Sequence, residues 1–561
     1  MSRLFVEVCY NKQNENALKG DVTNMMMNVP LTISSMMERA EKLFSKKEIV
    51  SRTHDTITTL TYKQLGERTR RLSSALKKLG IKEGERIGTL AWNHHRHVEA
   101  YFAIPGIASV LHTINIRLSP QHILYIIQHA EDRILLIDED LVPLVENIQS
   151  QLSAVQAYII MTDKDELPNT TLEPVYHYEK LLEEGDPNFQ FVKDIDENTP
   201  AGMCYTSATT GNPKGVVYTH RSTVLHCMAL GLADTAALSE SDAAMAIVPM
   251  FHVNAWGLPF AATWFGSKQV LPGPMFTPKI LLEMIQSEKV TLAAGVPTIW
   301  LGVLQELENN SYDLSSMTRI LCGGAAAPKS VIKAFEQKHN VPFIHAYGMT
   351  ETSPLVTLAR LKSYETELSY EEQLEIRSKQ GYLVPGVEMK VVGTNGEVKW
   401  DGTEMGELCL RAPWIAESYY NDERTVEGFR DGWLYTGDVV TVDEEGCVKI
   451  VDRTKDVIKS GGEWISSVDL ENALMAHDAI FEAAVVAVPH PQWQERPVAC
   501  VVQKKNSTVT KEEIYAFLKP QFAKWWLPDE IVFMEEIPKT SVGKFLKQAL
   551  RKELEHLRKG E

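Results

Sequence analysis

The chain has 561 residues, too many for one hydrophobic core and enough for roughly three to four domain-sized units. Apolar residues make up 44%, sufficient for ordinary globular cores. The formal charge of −17 comes from dispersed acidic residues, which argues against a nucleic-acid or anionic-membrane surface.

Seven cysteines are scattered, odd in number and without zinc-ligand spacing, so a reduced, cytoplasmic setting is expected. Glu7, Asn11 and Asn14 stand where a signal peptide would be apolar. No run of about 18 apolar residues occurs, so no transmembrane helix is expected. Peripheral membrane contact stays open.

Residues 1–30 lack periodicity, and the Met25-Met26-Met27 run carries no functional signal. Helices are expected over 33–44 and over 61–79, the second capped by Thr61, lined by Leu65, Leu72, Leu76 and Leu79, and ended by Gly80. A strand over 86–91, a helix over 98–108, a strand over 109–113, a helix over 120–129 and a strand over 133–138 follow. Such alternation means βαβ units on a largely parallel sheet. It resumes with strands at 244–249 and 291–295 and helices at 280–288 and 330–339. The charged stretch 362–380 reads as a solvated helix, and 385–450 as a β-rich subdomain of short runs punctuated by Gly, Asp and Asn. Asp452-Arg453-Thr454-Lys455-Asp456 is the candidate domain boundary. Beyond it, helices at 468–477 (cap Ser467), 511–518 and 542–558 and strands at 482–488 and 530–534 make a small α+β domain.

The stretch from Tyr205 to Gly215 holds four Thr or Ser hydroxyls, two Gly, one Pro and Lys214 in eleven residues. Small residues admit a bulky ligand to the backbone, loop N–H groups converge on anions, and Lys214 adds a point charge. No Walker A pattern can be written here, and alone the run could be a flexible polar loop. Later in the chain, Glu351 sits between Thr350 and Thr352, where a carboxylate beside polyphosphate needs Mg²⁺ between them. Asp438 follows a tight turn and has the chemistry to accept ribose hydroxyls.

The order Tyr205-Thr206-Ser207-Ala208-Thr209-Thr210-Gly211-Asn212-Pro213-Lys214-Gly215 resembles the phosphate loop of the adenylate-forming (ANL) superfamily, which includes acyl-CoA synthetases, luciferases and peptide-synthetase adenylation domains. Ala208 stands where Gly is usual there, which stiffens the loop without removing its hydroxyls. Six motifs follow the family order over roughly 60–550. The resemblance implies ATP contacts from Thr206, Ser207, Thr209, Thr210, Gly211 and Lys214, and from the small-residue turn at Gly324 and Ala325. In His345-Ala346-Tyr347-Gly348-Met349-Thr350-Glu351 it places Tyr347 against adenine and ribose and Glu351, with Thr206, on Mg²⁺. Asp438 and Arg453 would serve the ribose, with Lys455, Lys459 and Trp464 completing the nucleotide set. His252, Val253 and Trp256 match the element beside the reacting carboxylate, although a lone His is more often structural, and helix packing explains Trp256, Leu258, Phe260 and Trp264 equally well. Ser460, Gly461, Gly462 and Glu463 match the loop that helps form the CoA channel, and Lys544 matches the mobile catalytic lysine.

The resemblance is closest to bacterial long- and medium-chain fatty acyl-CoA synthetases. It implies an α/β fold with a large N-terminal domain over 1–451, a hinge at 452–455 centred on Asp452, and a mobile α+β domain over 456–561. It implies a fatty acid–CoA ligase that uses Mg·ATP and CoA and passes through an acyl-adenylate. The alternatives are a ligase for a shorter or sulfur-containing acid, an amino-acid adenylating domain, and a non-catalytic nucleotide sensor. No carrier domain follows Lys544, which disfavours the second, and the presence of Lys544 with Glu351 disfavours the third. A homodimer formed through residues 1–60 is an expectation drawn from the long segment before the first firm helix.

Overall fold

The computed structural model describes residues 26–54, 56–206, 211–393, 396–460, 463–505, 507–539 and 545–554, with backbone only for Glu463 and Trp464. Local rules explain its first firm helix, Tyr62–Lys78. Thr61 Oγ1 accepts the Gln64 N–H at 3.3 Å and Gln64 Oε1 accepts the Thr61 N–H at 2.9 Å, a reciprocal capping box. Leu65, Leu72 and Leu76 are fully buried, and Gly80 follows the helix at φ 89°.

Two sheets dominate the N-terminal part. One has seven strands in the order Val175–His177, Ala157–Met161, Asp132–Asp138, Arg86–Leu90, Val110–Thr113, Pro200–Tyr205, Gly215–Thr219. All its pairings are parallel except the last. The other has nine strands, in the order Tyr382–Leu383, Leu355–Leu358, Phe343–Gly348, Arg319–Cys322, Leu292–Gly295, Ala243–Ala246, Lys268–Leu271, Glu48–Arg52, Ile57–Thr61. Its centre is parallel and both ends are antiparallel. Parallel strands buried on both faces read as continuous apolar runs, which is why those expected at 86–91, 109–113, 133–138, 244–249 and 291–295 were legible, whereas Ala157–Met161 and Lys268–Leu271 were not read.

A six-stranded antiparallel sheet fills the stretch expected to be β-rich, from Glu388–Gly393 to Val448–Arg453. A five-stranded sheet is built around the long hairpin Ile480–His490/Gln494–Gln503, covered by helices Ser467–Met475, Lys511–Leu518 and Lys547–Glu553. Val485, Ala499, Leu470 and Ile514 form one of its apolar cores. Among the described residues no helix is long and apolar enough to cross a membrane.

Several boundaries differ from expectation: the helix expected over 542–558 is described as Lys547–Glu553, and the one expected over 362–380 is a 3₁₀ turn at Ser363–Glu367 followed by a helix at Tyr370–Ser378. The helix expected over 98–108 is His95–Ala103, followed by a 3₁₀ turn at Pro105–Ile107. Its polar start is buried because each side chain has a partner: His94 Nε2 lies 2.8 Å from Asp138, His97 Nε2 2.9 Å from Thr89 Oγ1, and Arg96 binds Asp163 and Glu179. The cap expected at Ser467 is Ser466, whose Oγ accepts the Asp469 N–H at 3.0 Å. The strand expected to stop at 451 continues to Arg453, because Asp452 and Arg453 still pair with Val439 and Asp438.

Candidate active site

The phosphate-type loop joins the antiparallel strands Pro200–Tyr205 and Gly215–Thr219. Its neck is closed by Thr206 N–H donating to Lys214 O at 2.9 Å and Lys214 N–H donating to Thr206 Oγ1 at 3.1 Å. Ser207, Ala208, Thr209 and Thr210 lie outside the described residues. Gly211 has φ 70°, a conformation open to glycine at little cost.

Lys214 and Glu351 meet through a residue that sequence reasoning did not single out. The Lys214 ammonium lies 4.1 Å from the centre of the Tyr419 ring, and the Tyr419 hydroxyl donates to Glu351 Oε1 at 2.7 Å. Burial and the adjacent Glu351 push the Tyr419 phenol well up, so it stays a donor. The Tyr218 hydroxyl donates to Thr350 O at 2.8 Å, fixing the backbone just before Glu351. Glu351 is 5% exposed and keeps its second oxygen for another partner.

Strand Phe343–Gly348 delivers the adjoining aromatic. The Tyr347 hydroxyl donates to Asp438 Oδ2 at 2.5 Å, and Arg453 Nε lies 2.6 Å from Asp438 Oδ1. Burial raises the Tyr347 phenol far above its ordinary range, so it donates rather than competes with the carboxylate. A carboxylate offers about four acceptor positions, so two remain for a diol. Gly348 is needed here because a Cβ would fall 1.8 Å from Pro354 O. Gly323 is pressed similarly, its ideal Cβ 2.8 Å from Ala346 O and 3.3 Å from the Trp256 ring, while Gly324 turns at φ 83°.

His345 reaches the site only through the backbone. Its Nδ1 is 2.9 Å from Lys379 O and its Nε2 3.3 Å from Ala325 O, and burial lowers its pKa. It sits between the Gly324–Ala325 turn and the chain at Lys379.

The His252–Trp256 element is a left-handed turn. Val253, Asn254, Ala255, Trp256 and Gly257 have φ 39°, 56°, 48°, 58° and 75°. Left-handed L-residues cost about 1–2 kcal/mol each, so the surroundings must hold this turn. Asn254 is buried with its Oδ1 3.6 Å from Cys204 Sγ, and Tyr101 donates to Met250 O just upstream. Leu258 and Phe260 belong to the core, Phe260 packing 4.9 Å from the Tyr101 ring. Trp264 stacks on Phe265.

In the C-terminal part, Ile458–Ser460 pairs with Glu463–Ile465, and Gly461 and Gly462 between them lie outside the described residues. Glu495 Oε2 accepts the Lys459 N–H at 2.8 Å, Arg496 Nη1 donates to Ser460 Oγ at 3.1 Å, and Ser460 pairs with Gln494. Asp452 is 2% exposed and its Oδ2 accepts the Ser467 N–H at 2.8 Å. Lys455 lies in the exposed turn that follows, and Lys544 is outside the described residues.

The structure thus brings Thr206, Lys214, Thr350 and Glu351 together through Tyr218 and Tyr419, and Tyr347, Asp438 and Arg453 into a second cluster. Tyr419, Glu495 and Arg496 were missed. They carry no motif of their own and only tertiary contact reveals them.

A lysine and a carboxylate that meet on Tyr419 beside the strand-joining loop, and a second buried carboxylate held by Tyr347 and Arg453, sit in a large α/β unit followed by a smaller α+β unit. The chain belongs to the AMP-binding enzyme family, which it matches over residues 37–420, with the AMP-binding enzyme C-terminal domain over 469–544. It is 50% identical to a long-chain-fatty-acid–CoA ligase of Thermus thermophilus, over 94% of this chain and 96% of that one. It is 44% identical to a 3-methylmercaptopropionyl-CoA ligase of Ruegeria lacuscaerulensis, over 94% and 98%. Among solved structures, an anthranilate CoA ligase in complex with anthranoyl-AMP superimposes with a TM-score of 0.85 at 25% identity, over 95% of this chain and 98% of that one.

Proposed function

We propose that this chain is an ATP-dependent fatty acid–CoA ligase that forms acyl-CoA, AMP and pyrophosphate through an acyl-adenylate. The observation that carries this reading is the 50% identity, over 94% of this chain and 96% of the relative, to a long-chain-fatty-acid–CoA ligase. In the first step the fatty carboxylate oxygen attacks the α-phosphorus of ATP and pyrophosphate leaves. In the second the CoA thiolate attacks the acyl carbon and AMP leaves.

The residues divide this work by electrostatics, because two anions must meet in the first step. Lys214 neutralises the departing pyrophosphate, with Thr206, Ser207, Thr209, Thr210 and Gly211 cradling it. Asp438 holds the ribose while Tyr347 and Arg453 hold Asp438. His252, Val253 and Trp256 lie beside the acyl group. Lys544 supplies charge to the transferring phosphate.

Glu351 and Thr206 would hold Mg²⁺. Among the described residues no cluster of three or more His, Cys, Asp or Glu is placed to bind a metal, and Mg²⁺ fits one carboxylate with phosphate and water completing its shell. When bound it would neutralise phosphate charge.

The domain reading places 1–451 as the adenylation domain, 452–455 as hinge and 456–561 as the mobile domain. Lys449 Nζ lies 2.9 Å from Asp469, and Ser466 Oγ donates to Val451 O at 2.6 Å, so these bonds across the boundary must part if the domain rotates. After rotation the Gly461–Gly462 loop, with Ser460 and Glu463, would line the CoA channel. A cytoplasmic setting and a homodimer belong to the same proposal.

The test is ATP–pyrophosphate exchange and thioester formation across a chain-length series of acids. Exchange that depends on a fatty acid is expected; exchange with none of the acids overturns the reading. Lys544→Ala should lower exchange by about 10² or more and spare thioester formation from supplied acyl-adenylate. Equal losses in both would overturn domain alternation. A second reading, a ligase for a sulfur-containing short acid, is favoured by the 44% identity to the methylmercaptopropionyl-CoA ligase. It wins if 3-methylmercaptopropionate outcompetes every fatty acid in kcat/KM.

A further inference from the structure

The segment Tyr419–Thr425 touches the phosphate hairpin at three points. Tyr420 N–H donates to Gly215 O at 2.8 Å, the Tyr419 ring lies under Lys214, and Arg424 Nη1 donates to Asn212 O at 3.0 Å. The first two contacts fix the strand end and the lysine. The third fixes the opposite side of the loop, where Gly211 turns at φ 70°, its ideal Cβ position 3.6 Å from the same Nη1.

Arg424 is itself aimed. Asp422 Oδ1 accepts from its Nε at 2.8 Å, and Asp422 Oδ2 accepts from its Nη2. Asp422 Oδ1 also accepts the Arg424 N–H at 2.9 Å, and Thr425 Oγ1 donates to Asp422 O at 2.8 Å, which locks the turn. The Asp422 carboxylate is 8% exposed, so the fork is held at the protein end. A planar guanidinium bridges a carboxylate and a carbonyl at once, which an ammonium on a flexible stem does poorly. Five N–H groups exceed the partners named here, so the outer edge of Arg424, 31% exposed, still presents donors.

We propose that Arg424 is a positioning residue of the adenylation step: held by Asp422, it pins the Gly211–Asn212 end of the polyphosphate loop and so sets where the triphosphate lies. This rests on the ligase reading above. The role belongs to the pyrophosphate-releasing half-reaction alone, because the loop's partner there has departed before the thiol attacks.

The experiment measures exchange against ATP concentration, thioester formation from supplied acyl-adenylate and CoA, direct ATP affinity by calorimetry, and thermal midpoint, for wild type, Arg424→Ala, Arg424→Lys and Asp422→Asn. Arg424→Ala should raise the KM for ATP about tenfold or more, the scale of one hydrogen bond to a charged group, and leave the second half-reaction within about twofold. Arg424→Lys should recover little, and Asp422→Asn, which loosens the aim without emptying space, should fall between. Asp422→Asn keeps the test alive if Arg424→Ala fails to fold. An unchanged KM for ATP, full rescue by lysine, or equal losses in both half-reactions with a lowered midpoint would each overturn the proposal. Wild type without acid-dependent exchange would sink the ligase reading instead, and calorimetric ATP affinity would then still decide the role of Arg424.

Discussion

Asp438 carries structural contacts on the same side chain that the proposed function assigns to the ribose. Its two oxygens are each taken once, by Tyr347 and by Arg453, and it is 1% exposed. Replacing it with asparagine puts an NH₂ group against one of two donors and removes the charge facing Arg453. Asp438→Asn is expected to weaken AMP and ATP binding by about tenfold to a hundredfold, read by calorimetry, since hydrogen bonds to charged groups are worth about 1.5–3 kcal/mol. Gln494 tests backbone strain instead. It is exposed at φ 70°, beside Ser460 in the sheet. Gln494→Gly should raise the thermal midpoint of the C-terminal domain, because relief of a left-handed L-residue, about 1–2 kcal/mol, exceeds the roughly 0.5–1 kcal/mol entropy cost of glycine. A lowered midpoint would show that the side chain makes a contact stronger than the strain.

At the scale of elements, the short strand Ile458–Ser460 depends on the strand beside it. Three consecutive residues, Gln494 to Arg496, hold it by register, by a carboxylate and by a guanidinium. Arg496 also binds Asp529 at 2.8 Å and donates to Leu527 O at 3.1 Å, so one side chain ties Ser460 to the turn before the strand Glu530–Phe533. Arg496→Ala should therefore slow thioester formation from supplied acyl-adenylate by tenfold or more, the value of one or two charged hydrogen bonds. Exchange should stay within about threefold of wild type, on the same scale of small indirect effects. A larger loss in exchange than in thioester formation would place the loop in the first step.

The whole molecule is asymmetric in acid. Burial lowers His97 to about 3, His226 to about 3 and His220 to about 4. Unfolded, each titrates near 6.5. The unfolded chain therefore binds more protons below that value, and the stability these neutral rings contribute is present above pH 6.5 and lost as the pH falls toward their folded values. All three lie before residue 230, in helices His95–Ala103 and His220–Gly231. The unfolding transition of the N-terminal part should lose ground between pH 7 and 4.5. His226 Nε2 accepts the Leu355 N–H at 3.3 Å, a bond a glutamine oxygen can keep. His226→Gln should shrink the pH-dependent loss, by at most about 2.7 kcal/mol, two pH units at 1.36 kcal/mol each. An identical urea-midpoint shift in both proteins would show that His226 does not contribute.

The elements the sequence determined by itself are those whose signals are local. Thr61, Gln64 and Gly80 bound a helix through its own backbone, and buried parallel strands such as Leu292–Gly295 announce themselves as apolar runs. The linear order of the motifs singled out Lys214, Glu351 and Asp438 as candidates, because each residue type is tied to a chemistry. Tertiary structure alone decided the rest. His94, Arg96 and His97 fall before the helix expected over 98–108, and they are buried because Asp138, Asp163, Glu179 and Thr89 satisfy them from other strands and helices. Asp452 reads as a polar break yet closes a strand, since its partners are Val439 and Ser467. Tyr419 and Arg424 gain meaning only where the fold sets them against Lys214, Glu351 and Asn212. A hydrogen bond between residues two hundred positions apart leaves no period or spacing in the chain, so only the packed molecule could reveal it.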